Sequence, residues 1–289
     1  RFVNWINRRS WVRALMERWG GVSADRKLPE FAPTSFTQWY RSRRRPVHGR
    51  RVVLFQDTFN DHHRPETARA AYEVLTGIGY SVVLADHPCC GRTYLSKGLV
   101  DTARRRARGV VEALAPYAEE GIPVVGLEPS CILTLRDEYH DLLPEDERVE
   151  AIADRVQTFE QFVTGCAEAG ALEEVDWKGR DRRLLVHGHC HQKSLVGMEP
   201  TRRALTEPPG YEVEVVDSGC CGMAGSFGYE AEHAEISRQM AERRLAPAVR
   251  EAAPETAIVA SGMSCRSQIE DLTGREALHP AEVLRDAIV

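Results

Sequence analysis

The sequence has no long apolar run. Its longest apolar stretches are five to seven residues, as at 122–127, far short of the ~20 that cross a bilayer as a helix. No secretory leader is legible, since Arg1-Phe2-Val3-Asn4 opens no apolar core segment. The chain starts without Met and is expected to be a piece of something longer. Neither sign of charge dominates: the net charge is -5, which gives no field for nucleic acid and no expected nucleic-acid partner. Also absent is any CxxC pair, the usual mark of a zinc knuckle. A nucleotide loop is missing as well. The run from Gly219 to Gly228 spaces its glycines GxxGxxGxxG rather than GxGxxG, and no Lys-Ser/Thr ends it. The composition is that of a globular protein, 43% apolar and 28% charged over 289 residues, enough for one large domain or two ordinary ones.

Eight cysteines in a chain this long are too few for a disulfide scaffold and too patterned for core filling. Two pairs are adjacent, Cys89-Cys90 and Cys220-Cys221. Neighbouring residues have Cα atoms about 3.8 Å apart, below the usual disulfide range, so a bridge between them would be strained. Adjacent thiols are better explained as ligands, in a reducing compartment. The expected location is the cytoplasm, free or peripheral at the cytoplasmic face of a membrane.

The chain repeats itself. Residues 79–91, GYSVVLADHPCCG, align with 210–222, GYEVEVVDSGCCG, at a constant offset of 131. Upstream, 51–55 aligns with 183–187; downstream, 124–131 aligns with 258–265, each block ending on a cysteine. Three matched blocks in one order point to internal duplication. Each copy alternates short apolar runs (52–55, 80–85 and 122–127; 184–187, 211–216 and 256–260) with helical stretches (65–77 and 100–118; 194–206 and 230–250). That alternation predicts an α/β fold of two tandem pseudo-repeat halves, each a small parallel sheet with flanking helices. Residues 1–45 carry Trp5, Trp11, Trp19 and Trp39 among many Arg and predict a short helical arm that packs on a neighbouring domain outside the chain. Residues 46–178 make the first half, with a helical connector from 132, and 179–289 the second.

In such sheets ligands collect beyond the carboxyl ends of the strands, where the patterned cysteines fall. Cys190, Cys220, Cys221 and Cys265 form a soft anionic set suited to an iron–sulfur cluster or to zinc. Glycines around the CC pair let backbone N–H groups approach sulfur, and a helix starting directly after the turn would place its positive end there. His187, His189 and His191 flank Cys190 as tuning donors or as ligands; His189 or His191 would complete a zinc site. The first half keeps Cys89, Cys90 and Cys131, while the position matching Cys190 falls at or beside Thr58. Asp57, His62 or His63 is expected to complete that site, which holds a second cluster, holds zinc, or is empty. Cys166 has no counterpart and reads as a core residue. His87, His140, His233 and His279 read as surface or capping residues. No residue is assigned a catalytic role.

These residues resemble the cysteine-rich CCG domain family, which includes a subunit of heterodisulfide reductase and the iron–sulfur subunits of glycolate oxidase and anaerobic glycerol-3-phosphate dehydrogenase. The phrases FQDTFND, GLEPSCILTLRDEY, VHGHCHQKSL, SGCCGMAGSFGYE and LHPAEVL, between residues 55 and 284, are similar to the C-terminal region of FAD-linked oxidases of the D-lactate, glycolate and 2-hydroxyglutarate dehydrogenase kind. The resemblance implies cluster ligands at Cys190, Cys220, Cys221 and Cys265, and at Cys89, Cys90 and Cys131. It also implies FAD in an upstream domain or subunit, and an acceptor that is a quinone, a cytochrome or a ferredoxin-like domain. Two departures stand out: the first Cys of each family CxxC is replaced, by Glu128 and by Gly262, and the leading Cys of the first half is missing. Four thiolates in the second half suit a [4Fe–4S] cube. The expected function is electron relay for a flavin-dependent 2-hydroxyacid dehydrogenase. The alternatives are a cluster-based thiol–disulfide reductase and a zinc-stabilised structural or docking module.

Overall fold

A computed structural model describes residues 2–43 and 48–288. The expected boundary between residues 45 and 46 lies outside the described residues. Two four-stranded parallel sheets repeat one topology. The first has the order β2-β1-β3-β4, with β1 Arg51–Phe55, β2 Ser81–Val83, β3 Val124–Gly126 and β4 Val156–Thr158. The second has the order β6-β5-β7-β8, with β5 Arg182–His187, β6 Tyr211–Val215, β7 Ala257–Ala260 and β8 Ala277–Leu278. The central strands are apolar and buried on both faces, as helix-covered parallel strands must be; β1 buries Val52 through Phe55 and β5 buries Leu184 through His187.

The two halves share one core. Helices Pro65–Gly77 and Phe159–Glu168 of the first half pack against Pro280–Ile288 and Glu199–Thr206 of the second. Their apolar faces bury Leu75, Phe159, Leu205 and Leu284 with Leu54 and Val186 of the sheets between them. Each sheet's other face is covered separately, by Val100–Glu119 in the first half and by Leu245–Glu251 and Met263–Thr273 in the second.

The structure corrects the expected pattern in four places. The connector from 132 is not purely helical: it contains β4, which completes the first sheet, and β8 does the same in the second. Strands of two or three residues leave no periodicity to read. The helical stretch 194–206 is broken into Cys190–Leu195 and Glu199–Thr206 around Gly197, whose φ of 79° no helix accommodates. The stretch 230–250 is likewise two helices, Ala234–Glu242 and Leu245–Glu251.

The fourth correction concerns the N-terminal arm. It has the expected helices, Phe2–Asn7, Ser10–Gly20 and Phe36–Arg41, yet from Val22 onward it packs on this chain itself. Val22 bridges to Glu230. The Arg26 guanidinium is buried and donates to the Gly228 carbonyl (2.9 Å), Gln268 Oε1 (2.6 Å) and Ser237 Oγ (2.9 Å). Phe36 is fully buried, and Trp39 packs edge-on to Tyr72. The earlier aromatics, Phe2, Trp5, Trp11 and Trp19, remain exposed.

Candidate metal centre

The four second-half cysteines converge at the carboxyl ends of three strands. Cys190 opens the helix Cys190–Leu195 after β5, Cys220 and Cys221 follow β6, and Cys265 lies in the first turn of Met263–Thr273 after β7. Their thiols touch in sequence: Cys190 to Cys220, Cys220 to Cys221, Cys221 to Cys265. Cys221 and Cys265 are buried, Cys220 is half-buried and Cys190 is exposed, so one edge of the set faces out.

The four thiols divide into two that are drawn down and two that are pushed up. Cys220 is drawn down by hydrogen bonds from Cys190 and Cys221 and by the Gly222 N–H at 3.3 Å. Cys265 is drawn down by Cys221 and by the His187 imidazole. Cys190 and Cys221 are pushed up, first by sharing their protons with Cys220 and then by burial. Four sulfurs in contact repel as thiolates, so a multiply charged cation is what allows the last protons to leave.

Backbone geometry makes the set tight. Gly222 has φ 92°, and a Cβ there would collide with the Ser237 carbonyl oxygen. Gly91, its counterpart after Cys89-Cys90, has φ 91°. Both CCG turns therefore use the same left-handed residue. Lys193 ties the two ligand loops together, donating to the Ser218 and Gly219 carbonyls, the latter at 2.9 Å. The expected helix directly after the turn exists only in the first half, where Arg92–Leu95 follows Gly91. In the second half residues 223–233 intervene before Ala234–Glu242, and the helix starts that meet the sulfurs are those at Cys190 and Met263.

The histidines divide. A ring nitrogen of His187 and the sulfurs of Cys221 and Cys265 lie within 4.8 Å of one another. The His187 Nδ1 pairs with Ser218 Oγ at 2.8 Å, and its buried Nε2 has no hydrogen-bond partner among the described residues. His189 and His191, expected as zinc ligands, turn to the first half instead: His189 Nε2 lies 3.8 Å from Glu128 Oε1, and His191 Nε2 about 4 Å from Asp137 and Glu138. Burial, then Arg92 and His189, lower His191 to about 4. Four thiols with a buried imidazole beside two of them offer the donor set of a four-thiolate zinc site or of a larger soft anionic centre with a tuning neighbour.

In the first half Cys89 contacts Cys90, and Cys90 contacts Cys131. Thr58 opens the helix Thr58–His62, as Cys190 opens its own, and its side chain bonds Cys89. Cys131 accepts from Cys90, which draws it down, but burial and the carboxyls of Asp57 and Glu128 push it up to about 11. The expected fourth donors are not brought in. Asp57 spends its oxygens on the Phe59 and Asn60 N–H groups (3.0 Å each) and the Asn60 amide (2.8 Å). Burial, then Glu128, raises it to about 6. His62 pairs with Asp61, and His63 bonds the Glu30 carbonyl of the arm.

Cys166 is buried, bonded to the Tyr80 hydroxyl and apart from both sets. His279 caps Pro280–Ile288 by accepting from the Ala281 N–H at 3.0 Å. Sequence reasoning named Glu128 only as the replacement of a family cysteine and missed Glu160, Arg26 and Gln268; all four are buried. Gln268 holds the Cys221 carbonyl at 2.9 Å, and Arg26 holds Gln268. A carboxylate standing at a repeat position that is glycine in the other half was the available signal for Glu128.

Two tandem α/β halves with thiols gathered at their strand ends define a duplicated cysteine-rich, metal-binding type of protein. Residues 53–136 and 185–270 match the cysteine-rich domain, CCG, and the chain belongs to that family. It is 28% identical to one subunit of the anaerobic glycerol-3-phosphate dehydrogenase of Escherichia coli K12 over 283 residues, covering 96% of this chain and 69% of that one. Identity to D-2-hydroxyglutarate dehydrogenase of the same organism is 28% over 83% of this chain, but only 23% of that larger protein is spanned. The glycolate oxidase iron–sulfur subunit of E. coli K12 is 25% identical over 83% of this chain and 59% of its own length.

Proposed function

We propose that this chain is the iron–sulfur electron-transfer region of a flavin-linked dehydrogenase, and that Cys190, Cys220, Cys221 and Cys265 hold a [4Fe–4S] cluster. The observation that carries this reading is the unbroken run of thiol contacts at three strand ends. A cluster bound there would accept and release single electrons. The protein's part is to hold and tune it: Cys221 and Cys265 would keep its inner side dry, the Gly222 N–H reaches the Cys220 sulfur, the His187 ring stands beside Cys221 and Cys265, and the exposed Cys190 edge leaves a side for partners to approach.

The named relatives act on glycerol 3-phosphate, D-2-hydroxyglutarate and glycolate, so the electron donor proposed here is a small anionic alcohol oxidised on a separate FAD-binding domain or subunit. The acceptor is a quinone, a cytochrome or a ferredoxin-like domain. No helix among the described residues is long and apolar enough to cross a membrane, and a peripheral position at the cytoplasmic face is proposed. The thiol–disulfide reductase alternative is disfavoured. It calls for a fifth thiolate at position 262, where a Cβ would lie 2.5 Å from the His189 ring.

Anaerobic purification tests the reading. The protein should be brown, with a broad visible band that bleaches on reduction. A colourless protein with stoichiometric zinc after iron and sulfide reconstitution overturns it.

A further inference from the structure

The helix Met263–Thr273 begins without a cap of its own. Its N-cap residue is Gly262, which has no side chain to accept from the orphan N–H groups of the first turn. Position 262 cannot supply one, because any Cβ would collide with His189 Cδ2 at 2.5 Å. The acceptor comes from the other half: Glu128 Oε2 takes the Met263 N–H at 2.7 Å. Its second oxygen accepts from Ser130 Oγ at 2.8 Å and lies 3.8 Å from His189 Nε2. His189 is itself the N-cap of the helix opened by Cys190, with Nδ1 accepting the His191 N–H at 3.2 Å. That bond leaves the ring proton on Nε2, toward Glu128.

One buried carboxylate thus meets both helix starts that present second-half thiols. The arrangement runs one way. The first-half counterpart of Met263 is Pro129, which opens Pro129–Arg136 and has no N–H to cap. Glu160 of the first half adds a second support, accepting from Ser261 Oγ at 2.5 Å just before Gly262.

We infer that Glu128 is a positioning residue for the second-half metal centre: it occupies the place of a ligand cysteine in its own half and instead fixes the two helix starts that carry Cys190 and Cys265 in the other. This rests on the reading that those cysteines hold a cluster. It gives the first half a task in the other half's site, independent of whether its own thiols bind metal.

The test compares Glu128→Ala and Glu128→Gln in the full 289-residue chain, each also combined with Cys89→Ser and Cys90→Ser. Iron and sulfide per chain and the spectrum of the reduced protein are read after anaerobic reconstitution. Loss of a supporting group next to ligands should weaken the centre about 10–100-fold in the alanine variant, while Gln, whose amide oxygen still accepts from Met263 but whose NH2 cannot accept from His189, should lose clearly less than alanine. The loss should persist in the Cys89/Cys90 background. If alanine unfolds the chain, Glu128→Met, which fills the space without an acceptor, takes its place. Wild-type iron in the alanine or methionine variant overturns the inference, as does a loss that vanishes when Cys89 and Cys90 are absent, or a glutamine variant as depleted as alanine. A wild-type protein that takes up no iron overturns the cluster reading and this inference with it.

Discussion

Thr58 stands at the opening of its helix where Cys190 stands in the second half, and its side chain bonds Cys89 as the Cys190 thiol bonds Cys220. The first-half site is therefore one sulfur short at a position already aimed at the remaining ones. Both residues are exposed, so a thiol at 58 meets no packing obstacle.

Thr58→Cys should consequently raise iron uptake by the first half. A fourth thiolate bound directly to the metal should be worth at least the ~10-fold that changes to groups around the ligands typically cost. Iron per chain after reconstitution should climb toward twice the wild-type value. An unchanged iron content in a folded variant would show that the missing thiolate is not what limits that site.

Cys220→Ala and Cys265→Ser should each abolish the second-half centre, whereas Cys166→Ala should leave it intact. The first two remove links from the run of sulfurs; Cys166 sits in the shared core and hydrogen-bonds the Tyr80 hydroxyl, apart from both thiol sets. Its truncation should cost stability of about 1 kcal/mol without loss of colour. Equal iron loss in all three would mean the ligands are misassigned.

The repeat and both thiol sets were legible because ligand chemistry and βα alternation are local: Cys89-Cys90 and Cys220-Cys221 announce themselves, and 65–77 is helical as its apolar spacing predicts. What escaped was either too short or too distant. β8 is two residues long. The contact of Glu128 with Met263 spans 135 positions and depends on how the two halves face each other, which no periodicity encodes. The helix after Gly222 failed for a different reason: residues 223–233 bend back to meet the arm, where Arg26 takes the Gly228 carbonyl.

His279 makes the fold sensitive to acid. It is fully buried, donating from Nε2 to the Leu127 carbonyl (3.0 Å) and accepting at Nδ1 from Ala281, a pattern that only the neutral ring satisfies. Burial, then Arg266, lowers it to about 3, against about 6.5 unfolded. The unfolded state binds the extra proton between these values, so this contribution is full above pH 6.5 and is lost as pH falls toward 3. Between pH 7 and pH 5 the loss should be about 2 kcal/mol. His279→Gln, which keeps a donor and an acceptor but does not titrate, should show a correspondingly smaller drop in urea midpoint. Parallel pH profiles for the two proteins would rule His279 out as the titrating group.

The two halves should also differ in what their thiols are worth. The second half offers four sulfurs in contact. The first offers three, with Thr58 oxygen beside them and the Asp57 carboxylate committed to backbone N–H groups. A missing thiolate leaves a coordination position to water or a weak oxygen donor, a deficit of at least about 10-fold in affinity. The first half nevertheless keeps its sheet, the shared core and the Glu128 and Glu160 contacts, all of which stand without metal. Changing Cys89 and Cys90 together to Ser should therefore remove at most a minor part of the iron and leave most dye reduction intact, while the Cys220/Cys221 double variant should lose both. The comparison is iron content and dye reduction of the two variants in the complete flavin-linked protein. If the first-half variant loses as much as the second, the two thiol sets are equivalent or share one cluster, and the asymmetry that begins at Thr58 has no functional weight.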